Sequence, residues 1–246
     1  LAGFAALIQA LAALVAALAW PVAFVVTAFA FRLEVRQVLA KFPTFIDRIK
    51  AIKIAGIETQ LDKVVEKLNA NPVEGGVVSS VEIEAAAKIV AETKSLEDSD
   101  ISVQMDKLCI EYGVTRKVMK AGFERTQIMN GILGRMRSLA PSLSQKLEFY
   151  KGSSDPGYRL AAVAMMQMEP EKGDLQWLID RFRVEHAFIF YHAALVMKSM
   201  FASALPDKKR AILSAAADSL AILKKFDGIP DKNSIVVLES ILNSVE

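Results

Sequence analysis

The apolar positions of this chain change rhythm twice before the midpoint. From Leu1 to Phe31 they are nearly continuous, with no charged residue and only Gln9 and Thr27 as polar side chains. A helix needs about 20 apolar residues to cross a bilayer core, so residues 1–31 are expected to form a transmembrane helix, with Trp20-Pro21 inside it. Next, Phe31, Val35, Val38, Phe42, Phe45 and Ile49 recur at spacings of 4, 3, 4, 3 and 4, an a/d seam like that of packed parallel helices, interrupted by Pro43. An amphipathic helix lying on the membrane surface, with Phe42 and Phe45 in the lipid, fits the same pattern. In "IKAIKIAGIETQL", Ile49 to Leu61, the rhythm becomes alternation, which predicts a short strand up to Gly56.

A lone strand leaves a row of unpaired N–H and C=O groups. Within the chain the candidate partner is "GGVVSSVEI", Gly75 to Ile83, reached across the short predicted helix "TQLDKVVEKLNAN". Pairing between identical copies closes a ring without an edge, and this reading is preferred. It makes Val38, Phe42, Phe45, Ile49, Ile52, Ile54 and Ile57 the expected homo-oligomerisation residues.

"NPVEGGVVSS", Asn71 to Ser80, reads as the linker. Beyond it the pattern is helical. Ser80 is placed to cap a helix over "VEIEAAAKIVAETK", a second covers about Ser99 to Tyr112 and stops at Gly113, and a third spans about Phe123 to Leu139. Asp155-Pro156 starts another, as cap and first-turn residue, and "DLQWLIDRFRVE", "AFIFYHAALVMKSMFASAL", "DKKRAILSAAADSLAILKKF" and "DKNSIVVLESILNSV" follow between short Pro, Gly and Asp turns. The organisation expected is a transmembrane helix over 1–31, a juxtamembrane helix, strand and linker over 32–78, and an all-helical domain over 79–246. The fold class is mainly α.

Charge then sets the orientation. Arg32, Arg36, Lys41, Arg48, Lys50 and Lys53 follow the apolar run, which places the domain in the cytoplasm at the inner membrane and the N-terminus outside. The small-x-small triplet Ala17-Leu18-Ala19 resembles a cleavage site, but no basic residue precedes it, so an anchor is preferred to a signal peptide. A net charge of +2 makes no case for nucleic acid, and one cysteine, Cys109, rules out an internal disulfide framework.

"SSDPGYRLAAVAMM" resembles the second-helix pattern of HEAT-like repeats over residues 142–246. With "ERTQIMNGILGRMRSLA" before it, the same stretch is similar to the C-terminal region of bacterial single-pass membrane proteins with signalling and phage-defence settings. That resemblance implies regulation rather than catalysis. "LCIEYGVTRKVM" is similar to a helix-turn-helix with Thr115, Arg116 and Lys117 at a groove, but Gly122 breaks the second helix after about two turns.

No phosphate-binding Gly loop, HExxH or GxSxG occurs, and Cys109 lacks a nearby His or CxxC partner. His186 and His192 sit six apart on different sides of one helix and cannot share a metal through it; His192, among aromatics, reads as a hydrogen-bonded core residue. "GILG", Gly131 to Gly134, reads as close helix packing. Neither catalytic residue, cofactor nor metal is expected. A basic set, Arg116, Lys120, Arg125, Arg135 and Arg159, could hold an anionic signal such as a nucleotide through guanidinium contacts, or lie on a solvated surface in scattered salt bridges. Of these, Arg125 and Arg159 are expected to serve ligand or partner response more than folding. The function expected is a membrane-anchored oligomeric scaffold or signal-gated effector. Alternatives are a monomeric tethered regulator that recruits a cytosolic protein, and a tethered hydrolase.

Overall fold

A computed structural model describes residue 51 and residues 53–70, 76–93, 98–225 and 231–245. The transmembrane expectation for 1–31, the seam residues Val38, Phe42 and Phe45, and Ile49 and Ile52 lie outside the described residues. Lys53–Glu246 forms one compact unit. The described residues are helical with no strand, and none of their helices is long and apolar enough to cross a membrane.

The first helix, α1 (53–70), takes in the part of the expected strand that is described from Lys53 on, so Ile54 and Ile57 have no ladder to offer a second copy. The reason is the longer pattern into which those residues feed. Ile54, Ile57, Leu61, Val64 and Leu68 repeat every three or four residues for four turns, and the short alternation before Gly56 is overridden. Ile57, Leu61 and Val64 are buried within their own chain. A helix also satisfies its own backbone, which removes the need for a partner edge. Gly131 and Gly134 allow the close approach of this helix to α4 (Phe123–Leu139): a Cβ on Gly134 would lie 2.5 Å from Leu68 Cδ1, and one on Gly131 would lie 3.5 Å from Val65 Cγ1.

Helix α2 (Ser80–Thr93) begins with a capping box one residue earlier than the sequence pattern suggested. The Glu82 carboxylate accepts from Ser79 N–H at 2.6 Å, and Ser79 Oγ accepts from Glu82 N–H at 3.2 Å. Helix α3 (Asp98–Val118) runs straight through Gly113, where it was expected to stop. No atom lies within 4 Å of a Cβ built there, so the glycine is simply tolerated on an open face. The turn required by a helix-turn-helix is therefore absent; the chain breaks after Val118 instead.

After α4, a 3-10 segment (Ala140–Lys146) carries Pro141 into the short α5 (Leu147–Lys151). Helix α6 (Pro156–Met168) follows with Asp155 as its cap, accepting from Gly157 N–H at 2.7 Å. It is the spine of the core: Leu160 to Met166 are all buried, and the helix packs against α3, α4, α5 and α8 (Ala187–Ser203). Its small residues permit this. A Cβ on Gly157 would lie 2.2 Å from the Cys109 carbonyl oxygen of α3, so the two backbones touch where any side chain would intrude. Helix α7 (Leu175–Val184) is capped by Asp174, and α9 (Pro206–Lys224) and α10 (Lys232–Leu242) complete the chain, α10 being capped by Asp231. Consecutive helices pack in succession here, α7 on α8, α8 on α9 and α9 on α10.

Candidate functional site

A groove of about 860 Å³ runs along α8. Ala187, Phe188, Tyr191, His192, Leu195 and Lys198 form one wall. Their spacing puts them on one face of the helix. Arg116 at the end of α3 and Arg125, Thr126, Met129 and Asn130 on α4 stand opposite. The start of α10 contributes Asp231, Asn233, Val236 and Val237, and Gly76 and Val77, on the connection from α1 to α2, complete the lining. A second cleft of about 680 Å³, beside Met200, Leu205 and Ile212, carries Glu171, Asp174 and Lys208 in its lining and no pair of guanidiniums.

One end of the groove is basic. Arg116 and Arg125 converge there on His186, whose pKa is lowered by partial burial and then by the Arg116 charge. Among the described residues no carboxylate forms an ion pair with Arg116 or Arg125; Arg125 Nη1 donates to the Met119 carbonyl at 3.3 Å, and its Nε is buried without a partner. Glu185, next to His186 in sequence, is already committed. It accepts from Arg159 Nε, and from Arg181 Nη1 at 3.2 Å.

Behind the groove lies a buried polar network. The Arg137 side chain, 4% exposed, donates to the Glu82 carboxylate at 3.0 Å, to Gln167 Oε1 at 2.8 Å and to the Gly76 carbonyl at 2.6 Å. Burial pushes its pKa down and Glu82 pulls it back up. Gly76 takes a left-handed φ of 66°, and a Cβ on it would lie 2.8 Å from His192 Cε1. Only glycine lets this connection close over the histidine.

The network also sets the state of His192. Burial, and then the Arg137 charge, hold its pKa well below the ordinary histidine value, so the ring is neutral at pH 7. Nδ1 faces two N–H donors, Arg137 Nη2 at 3.5 Å and Gln167 Nε2 at 3.4 Å. It must therefore accept, and the ring proton belongs on Nε2. That nitrogen is buried and has no hydrogen-bond partner among the described residues. An unused donor in a groove wall is a place for a ligand acceptor.

The basic set read from the sequence thus divides. Arg116 and Arg125 meet in the groove. Lys120 is exposed in the turn between α3 and α4, off the groove wall. Arg135 ties α4 to α3 by a 2.6 Å ion pair with Glu111. Arg159 is a correction to its expected role: it lies away from the groove, holding buried Glu185 and the Ser153 carbonyl, the latter at 3.0 Å. Sequence reasoning saw Arg137 as one of a cluster of basic residues and Glu82 as a first-turn acid, without their buried pairing, and missed Gln167, Gly76 and Lys198. The one available signal was the Ser79-x-x-Glu82 capping box, which marks a helix start but not a buried carboxylate.

Cys109 is fully buried, and its thiol pKa is pushed far up by that burial. Among the described residues no group of three or more His, Cys, Asp or Glu could hold a metal. Searches against family models, curated proteins and solved structures found no match to this chain.

Proposed function

We propose that this protein is a membrane-anchored, non-catalytic effector gated by an anionic signal. In this reading residues 1–31 anchor it in the inner membrane with the N-terminus outside, the segment after them carries self-assembly, and the helical domain, HEAT-like in its succession of packed neighbours, receives the signal in the cytoplasm. The observation that carries the reading is the basic end of the groove, where Arg116, Arg125 and His186 converge and, among the described residues, no carboxylate forms an ion pair with either arginine. Two clustered guanidiniums in a partly enclosed site favour an anion, and Asp231, also in the lining, is engaged in capping α10 through Ser234. Gly76 and Val77 in the groove lining add a route to output, since they belong to the connection that leads back to α1 and the N-terminal segment.

Limited proteolysis of the full-length protein in detergent tests this. Inorganic pyrophosphate is expected to slow cleavage between α1 and α2 in the wild type and to have no effect in the Arg116→Gln/Arg125→Gln double variant. Equal cleavage with and without pyrophosphate in the wild type would sink the gating idea.

A second reading, recruitment of a cytosolic protein, is favoured by Val103, Ile110, Val114 and Val118. All four are exposed, and their spacing places them on one face of α3. Recruitment through that stripe would be indifferent to the arginine pair, which separates the two readings.

A further inference from the structure

Resting on the receptor reading, we infer that the groove takes an organic phosphate whose body is a flat heterocycle, the chemistry of a nucleoside monophosphate. The charged end is built for a phosphate. Two guanidiniums without carboxylate partners among the described residues stand beside the start of α8. There His186 makes no side-chain cap and leaves the Ala187 and Phe188 amides open, the Ile189 N–H donating to the His186 carbonyl. Guanidinium forks and helix N-terminal amides both match phosphate oxygens.

A bare anion leaves the rest of the groove unexplained. His192 is 1% exposed and lines the same groove six residues along α8 from His186, roughly 9 Å at 1.5 Å per residue. Its Nε2 proton has no acceptor among the described residues. An alkyl phosphate would bury that donor unpaired, a costly arrangement. The ligand body must therefore present a hydrogen-bond acceptor, and a base edge does so at about that separation from its phosphate.

The walls between the two points fit a ring with apolar faces and a polar rim. Phe188 and Tyr191 flank His192, their rings lying edge-on to the imidazole at centroid distances of 4.7 and 5.1 Å. Val236 and Val237 add apolar surface on the α10 side, and the Asn130 and Asn233 amides supply both donors and acceptors at the rim.

The test is calorimetric titration of the full-length protein in detergent with adenosine monophosphate, adenosine and inorganic phosphate, repeated with the other common nucleoside monophosphates. At least one nucleoside monophosphate should bind about tenfold or more tighter than both its nucleoside and inorganic phosphate. The Arg116→Gln/Arg125→Gln variant should lose that binding while keeping its helical signal and melting temperature. Nitrogen-detected NMR gives a second readout: the nucleotide should shift His192 Nε2, and inorganic phosphate should not. If inorganic phosphate binds as tightly as every nucleotide and depends on the two arginines, the ligand class is wrong and the anion-receptor reading stands. If no probe binds, both fall.

Discussion

Arg125 and Arg137 sit on the same helix, α4, twelve residues apart, and have opposite fates. Arg137 is enclosed by Glu82, Gln167 and the Gly76 carbonyl, whereas Arg125 finds a single carbonyl and an open groove. Arg125 lies between the exposed Glu124 and Thr126, and Arg137 between the buried Met136 and Ser138. What also separates them is a carboxylate delivered from 55 residues earlier and an amide from 30 residues later. A paired, buried arginine holds the fold, and an unpaired arginine at a groove mouth is available to a ligand. Substitutions should therefore act on different observables at the two positions.

The largest effect is expected at the enclosed arginine. Arg137→Met strands the Glu82 carboxylate, whose side chain is 1% exposed, with no counter-charge. Breaking a buried pair in this way costs about 3–5 kcal/mol. The urea midpoint should fall accordingly, and adding Glu82→Gln should recover much of the loss by removing the stranded charge. A drop of under about 1 kcal/mol would mean that water reaches Glu82 and that the pair is not the clamp described here.

The contrast also shows what a single sequence can carry. Helices α4, α6, α9 and α10 were legible from period, Asp caps and Pro starts, because those signals are local. The strand reading before Gly56 failed from Lys53 on, because a short alternation was weighed above the longer helical repeat from Ile54 to Leu68. Gly113 misled for a related reason: a glycine stops a helix only where the chain can gain another conformation, and α3 is held on both sides of it by the buried Cys109, Tyr112 and Thr115. Arg116 and Arg125 could be picked out as basic, but their lack of carboxylate partners could not. That is a property of the assembled helices, as is the pairing of Arg159.

A middle-sized effect sharpens the division within the basic set. Arg159→Gln removes one of two guanidiniums from buried Glu185, leaving Arg181. A hydrogen bond to a charged group is worth about 1.5–3 kcal/mol, so the melting temperature should fall by several degrees. Arg125→Gln, which strands no carboxylate, should stay within about 0.5 kcal/mol of wild type. Equal destabilisation by the two substitutions would erase the distinction between structural and available arginines.

The smallest effect turns on the two histidines of the site, one at each side of the same contrast. His192 lies against the Arg137 network, and His186 lies at the basic groove end. Both have lowered folded-state pKa values, His192 much the more so. In the unfolded chain each returns to about 6.5. Below that pH the unfolded state binds protons that the folded state refuses, so stability is full above about pH 6.5 and declines as the pH falls. For His192 the slope approaches about 1.4 kcal/mol per pH unit, which integrates to about 1 kcal/mol between pH 6.5 and 5.5. Urea unfolding at a series of pH values should show this decline in the wild type and a flatter profile in His192→Gln. His186→Gln should change the profile much less, because that ring is exposed and its shift is screened by solvent. If His192→Gln leaves the slope intact, the imidazole is not held neutral by the Arg137 network, and the assignment of its proton to Nε2 fails with it.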